Sequence, residues 1–259
     1  MRATATHTSG VNLYPVVCCS TAILQGSSLA FNSGLPHMGD THAFWTWFDQ
    51  EAGPKLGARE ISFRKAFAYL DTLQRTGPVT IVETGCTRIA GNWAGDGQSS
   101  VLFDHYLSHC PAGSEAQAVD IDPNATAQCR QLVSDRVHVH TGDSVPVLRQ
   151  IARTLADAGR TIDLLYLDSF DVDWKNTTPS SAHHLKELVS IVGSLRSDTL
   201  VMVDDCPAQA RMVGTEPGNY SLISQPEIGG KGGFVAEYAA QVGATLLFSH
   251  YQAAWTHFV

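Results

Sequence analysis

Val79-Thr80-Ile81-Val82-Glu83-Thr84-Gly85-Cys86 is the stretch on which the fold turns. Its β-branched and apolar run reads as a strand over Val79–Thr84, and it breaks at a glycine. A helix opens farther on, after Gly95-Asp96-Gly97-Gln98, at Ser99-Ser100. Glycine in such a strand-to-helix turn lets a ligand approach the backbone, and the helix N-terminus offers free N–H groups. A dinucleotide-binding turn would carry GxGxxG directly after the strand. Here the glycines are spread out and an acid, Glu83, precedes the first of them. A carboxylate in that place repels a pyrophosphate and attracts a cationic ligand.

Outward from this strand the chain alternates between short β-rich runs and helical periods, the pattern of a parallel sheet wrapped by helices. Further strands are expected at Gln117–Ile121, Val137–His140, Ile162–Leu167 and Leu200–Val203. Helices are expected at Ser99–His109, Asn124–Ser134, Val145–Ala158, Ser181–Val192 and Phe234–Val242, and another over Ser62–Thr76, where Phe63, Ala66, Phe67 and Leu70 keep helical spacing. Ala244–His250 and Ala254–Val259 read as a terminal hairpin. The fold class is α/β: a Rossmann-like, seven-stranded mixed sheet with helices on both faces and a C-terminal antiparallel hairpin.

Residues 1–40 are rich in Ser, Thr, Gly and Asn without a sustained period and read as a flexible N-terminal arm, with one domain over 41–259. Phe44, Trp45, Trp47 and Phe48 start a short helix that packs on the domain or caps a cleft, packing being the simpler reading. The length, 259 residues with 44% apolar residues, suits one such domain plus the arm.

A formal charge of -8 with no Lys/Arg run disfavours nucleic acid as partner. No apolar run approaches the roughly 20 residues that cross a bilayer, so no membrane partner is expected. The six cysteines lie scattered, without zinc spacing, which suggests free thiols in a reducing cytoplasm. The aromatic segment leaves a homodimer contact open.

Chemistry-bearing residues gather at the strand ends. The second strand ends in Asp120-Ile121-Asp122, placing a carboxylate where it can accept hydrogen bonds from two ribose hydroxyls. Gly142-Asp143-Ser144 ends the third, and Asp143 either reads an adenine amino group or caps the next helix. The fourth ends in Asp168 and the fifth in Asp204-Asp205, an all-oxygen trio of the kind that suits a hard divalent cation such as Mg²⁺; the simpler reading has the acids capping helices or binding water.

In order and at one-strand intervals, Glu83-Thr84-Gly85, Asp120, Gly142-Asp143-Ser144 and Asp163 to Asp168 resemble the consecutive motifs of class I S-adenosylmethionine-dependent methyltransferases over about residues 60 to 259. The antiparallel end of the sheet agrees with that resemblance. It implies a cofactor, S-adenosylmethionine, held by Glu83, Thr84, Gly85 and Cys86, by Gly97, Gln98 and Ser99, and by Asp120, Ile121, Asp143, Ser144 and Asp168. The eight residues Thr87 to Ala94 lengthen the glycine turn beyond the family pattern.

The acid trio Asp168, Asp204 and Asp205 looks like the metal site of catechol-type and macrolide-sugar O-methyltransferases. That implies Mg²⁺-assisted methyl transfer to a hydroxyl of a small molecule, the alternatives being metal-independent methylation of another acceptor and a non-catalytic module that binds S-adenosylmethionine. In those families the metal grips the acceptor hydroxyl and a base removes its proton. Where related enzymes place Lys or His, this chain has Asp171, either a base or a solvated loop charge. His184, at the border of the next helix's apolar stripe, is either catalytic or structural. Ile228-Gly229-Gly230-Lys231-Gly232-Gly233 is either a loop that closes over the cleft with Lys231 reaching substrate, or an ordinary surface connection. For Arg59 and Arg64 salt bridging is the default and contact with the cofactor carboxylate the alternative.

Overall fold

A computed structural model describes residues 40–73, 76–207, 211–216, 219–223 and 228–259. The chain divides into two compact units, Met1–Leu35 and Pro36–Val259, and every described residue belongs to the second. The expected arm, all but its last residue, lies outside the described residues.

The second unit runs α1 (His42–Trp47), α2 (Glu60–Thr72), β1 (Thr80–Thr84), α3 (Trp93–Asp96), α4 (Ser99–Leu107), β2 (Glu115–Asp120), α5 (Pro123–Leu132), β3 (Val137–Thr141), α6 (Ser144–Asp157), β4 (Leu164–Leu167), α7 (Thr178–Ile191), β5 (Leu200–Val203), β6 (Arg211–Glu216), β7 (Asn219–Ile223), α8 (Gly233–Val242), β8 (Thr245–Ser249) and β9 (Ala253–Thr256). The sheet order is β3-β2-β1-β4-β5-β9-β8. β1 to β5 pair in parallel, and β9 pairs antiparallel with both β5 and β8. The expected Rossmann-like, seven-stranded mixed sheet is therefore present.

The strands are apolar on both faces because helices cover both. Ile81, Leu164, Tyr166 and Met202 enter one core with Phe63, Phe67, Phe103 and Tyr106 of α2 and α4. Their chain neighbours Val82, Leu165, Leu167 and Val203 enter the other with Leu148, Ile151, Leu188 and Val235 of α6, α7 and α8. This is the period-2 alternation of a strand, each side meeting a helical stripe. Fully burying each such side chain contributes about 1.5–3 kcal/mol, so the central strands are strongly held in register.

Phe44 and Phe48 are fully buried and meet Phe67 at 4.7 and 6.0 Å between ring centroids. The aromatic cluster thus packs on the domain. A π-helical stretch, Phe48–Ala52, links it toward α2. Between β5 and α8 the sequence reading places no strand, yet β6 and β7 form a separate two-stranded ribbon; with five or six residues in each strand and no helix between, it carried too little period to read. The four described cysteines, Cys86, Cys110, Cys129 and Cys206, are free thiols. Among the described residues no helix is long and apolar enough to cross a membrane.

Strand order reverses between β1 and β4, since β1 continues outward to β2 and β3 while β4 continues to β5. In open α/β sheets a ligand cleft forms at the carboxyl ends of the strands flanking such a reversal. Gly85 and Asp168 leave β1 and β4 at that point.

Candidate functional site

Gly85 takes φ +76°, and a Cβ on it would lie 2.5 Å from the Asp168 carbonyl oxygen. Only glycine lets the two strand ends approach so closely. Beside it, the Cys86 N–H donates to Asp120 Oδ2 at 3.2 Å, and the Asp122 N–H donates to Oδ1 at 2.8 Å. Asp120 is thereby oriented at the tip of β2, half-buried, next to exposed Ile121. At the tip of β3, Asp143 accepts from the Val145 N–H at 2.9 Å and caps α6. The capping role is realised, and Asp143 remains exposed. Ser144 is buried, with its hydroxyl 3.0 Å from His183 Nε2.

Glu83 differs from the expectation of a carboxylate facing a cationic ligand. It is fully buried and accepts from the hydroxyls of Ser99 and Ser100, tying β1 to the start of α4. Burial pushes its carboxyl well above the ordinary range. Its role in the described structure is to seat the helix whose N-terminus borders the cleft. Gln98 likewise turns inward, and its amide donates to the Ile89 carbonyl at 2.8 Å. Together with Asp96, which accepts from the N–H groups of Arg88 and Ile89, it folds the extra residues of the turn back on themselves. Gly97 and Gln98 both take positive φ there. Thr84 points to the opposite face, where it donates to Glu187 at 3.0 Å.

The acids after β4 and β5 do converge: Asp168, Asp204 and Asp205 each offer an oxygen, and these lie within 4.8 Å of one another. Two cations already lie among them. Arg59 Nε donates to both oxygens of fully buried Asp204 at 3.0 Å, and Nη2 adds a bond of 2.7 Å. Its guanidinium also lies 4.8 Å from the Tyr251 ring centroid. Burial opposes the charge on Asp204, but the Arg59 fork outweighs it and holds that carboxyl below the usual range. Lys231, 1% exposed, contacts Asp168 directly and reaches Asp205 Oδ2 at 3.1 Å. Burial lifts Asp168, with the neighbouring Asp204 acting in the same direction.

As a donor set the trio suits magnesium; as arranged, it does not. Mg²⁺ requires oxygens at about 2.0–2.1 Å in an octahedron and retains several waters. Lys231 already bridges Asp168 and Asp205, and Arg59 occupies both oxygens of Asp204.

Two other candidates are placed away from this cluster. Asp171 is exposed and pairs with Arg88 at 3.2 Å, so it is the solvated loop charge. His184 is fully buried in α7, with Nδ1 donating to the Ser180 carbonyl at 2.7 Å and Nε2 without a hydrogen-bond partner among the described residues. Burial lowers it to about 4, so it is a neutral core histidine rather than a cleft group. Arg64 keeps the default role, bonded to Glu60 and Asp49.

Sequence reasoning missed Glu187, fully buried behind the cleft, which accepts from Thr84 and Ser169 and lies 3.3 Å from His183. It also missed Tyr251, which donates to Asp205. A charged residue in the middle of the α7 apolar stripe was the available signal for Glu187; Tyr251, in the hairpin turn, gave none.

No protein-family model matches the chain, and no curated protein matches it. Solved structures do. The MycE methyltransferase from the mycinamycin biosynthetic pathway, in complex with Mg and SAH, matches with TM-score 0.51 at 15% identity, over 86% of this chain and 55% of that one. The same enzyme with Mg, SAH and mycinamycin VI matches at 0.51 and 14%, over 86% and 54%. CalS11, a calicheamicin methyltransferase, matches at 0.45 and 14%, over 89% and 99%. The chain thus spans about 55% of the length of MycE. At such identities the likeness to MycE establishes the class I methyltransferase fold.

Proposed function

We propose that the chain transfers a methyl group from S-adenosylmethionine to a hydroxyl of a small molecule. The observation that carries the reading is the pairing of Gly85 with Asp120 at the sheet's reversal point. The glycine lets the end of β1 pack directly against the Asp168 backbone at the end of β4, and the Cys86 N–H orients the Asp120 carboxylate one strand away. That arrangement suits a ribose diol beside a positively charged donor; it offers no cradle of clustered glycines for a diphosphate. SAH in the MycE complexes and the mycinamycin VI bound in one of them lend support.

The residues act as follows. Half-buried Asp120 would hold the ribose hydroxyls by accepting from them, and exposed Ile121 and Asp143 would serve the adenine. Asp168, at the end of β4, takes the acceptor's hydroxyl proton as its oxygen forms a bond to the methyl carbon. S-adenosylmethionine, when bound, would supply that methyl group from its sulfonium and leave as a neutral thioether. An upward-shifted carboxyl suits that task better than the Arg59-held Asp204, because its proton affinity is nearer that of the acceptor. No step is routed through a divalent ion, since Lys231 lies in the trio.

Calorimetric titration with SAH and with NADH tests the donor. SAH is expected to bind and NADH not, and the reverse would end the reading. Incorporation of labelled methyl into a panel of hydroxylated and amino metabolites tests the acceptor; labelling confined to amines would refute O-transfer while sparing the donor assignment.

A further inference from the structure

We propose that the Lys231 ammonium is the resident cation of the Asp168–Asp204–Asp205 cluster, standing between Asp168 and Asp205 where the three carboxylates would otherwise receive a divalent ion. The inference concerns the same site as the proposed methyl transfer and deepens that reading.

Three observations converge on it. Lys231 is almost fully buried, which a lysine rarely tolerates unless its charge is matched. Its ammonium meets three oxygens: it donates to the Asp168 carboxylate and to the Asp168 carbonyl at 3.4 Å, and forms an ion pair with Asp205 Oδ2 at 3.1 Å. The loop is also shaped to deliver it. Gly230 takes φ +57°, and a Cβ there would overlap the Asp205 carbonyl, while the Lys231 N–H donates to that same carbonyl at 3.2 Å. The glycine-dense segment therefore docks on the backbone of the acid pair and inserts the one side chain it carries at that point.

Charge agrees. Arg59 and Lys231 leave three carboxylates with a single net negative charge. Adding a divalent ion would reverse the sign within a buried cluster. Removing Lys231 restores a deficit that a divalent ion can fill, with Arg59 still bound to Asp204. Lys231 is thus a positioning residue: it holds Asp168 and Asp205 in place and gives the cluster a fixed counter-charge that needs no metal supply.

Mn²⁺, whose hexaaqua electron paramagnetic resonance signal is lost on binding, is the probe. The wild-type protein is expected to leave the signal of millimolar Mn²⁺ unattenuated, and Lys231→Met to bind it at least about tenfold more tightly, as removal of a buried like charge implies. Lys231→Arg, which retains the charge, is expected to behave as wild type. Saturable Mn²⁺ binding by the wild type, or no gain in Lys231→Met, overturns the proposal. Should Lys231→Met fail to fold, Lys231→Gln replaces it, and should that fail too, the wild-type spectrum decides. SAH calorimetry on the same samples reads the methyl-donor assignment separately, so either conclusion can fall without the other.

Discussion

The two lips of the cleft are built by different means. On the β1–β2–β3 side, the acids at the tips of β2 and β3 are held by neutral backbone N–H groups: Asp120 by those of Cys86 and Asp122, and Asp143 by that of Val145. On the β4–β5 side, partners come from across the chain. Arg59 reaches Asp204 over 145 residues, and Lys231 reaches Asp168 over 63. The first lip leaves Asp120 half-buried and Asp143 exposed, which suits binding. The second is a buried ion cluster whose members stabilise the fold only as a set, because each would be costly alone.

That contrast can be broken most directly at Asp204. Asp204→Ala strands the Arg59 guanidinium in the interior and is expected to cost about 3–5 kcal/mol in urea unfolding; a loss below about 1 kcal/mol, typical of exposed pairs, would erase the distinction between the lips.

The next effect is a pH dependence behind the β4 lip. His184 is held at about 4 in the folded protein, against about 6.5 in the unfolded chain. Between those values the unfolded state binds the extra proton, so stability falls as pH falls through the window. Up to about 3 kcal/mol of that fall is expected to disappear in His184→Leu, read as the difference in unfolding free energy between about pH 7 and pH 4 for each protein. Identical slopes would show that His184 is accessible to protons in the fold.

On the binding lip the larger effect is expected in affinity rather than in stability. Asp120→Ala should weaken SAH binding about tenfold, about 1.4 kcal/mol, with a smaller change in unfolding; unaltered SAH affinity would remove Asp120 from the cofactor site. Asp143→Ala should cost about 1 kcal/mol of stability through the lost cap of α6, and no loss would mean that cap is idle. Asp171→Ala is expected to change stability by less than about 1 kcal/mol, since its bond to Arg88 is exposed. A large loss of methyl transfer in Asp171→Ala would instead return it to the chemistry as the base.

The same division governs what could be read beforehand. Strand ends, glycine turn and helix caps are local, and the positions of Asp120, Asp143 and the Asp168–Asp204–Asp205 convergence followed from motif order along the sheet. Glu83 was legible as an acid at a strand end, but its orientation toward Ser99 and Ser100 was not, because strand alternation assigns a face without saying what covers it. Lys231 was visible in a glycine-rich loop with two open roles, and neither gave its actual partners.

By itself the amino-acid sequence determined the α/β architecture, the side of the sheet on which polar groups collect and the identity of the acids there. Those features depend on period, turn chemistry and strand order, all encoded within short windows. Tertiary structure alone decided which acids face the cleft, which are neutralised and by what, since burial and ion pairing depend on the distance between residues far apart along the chain.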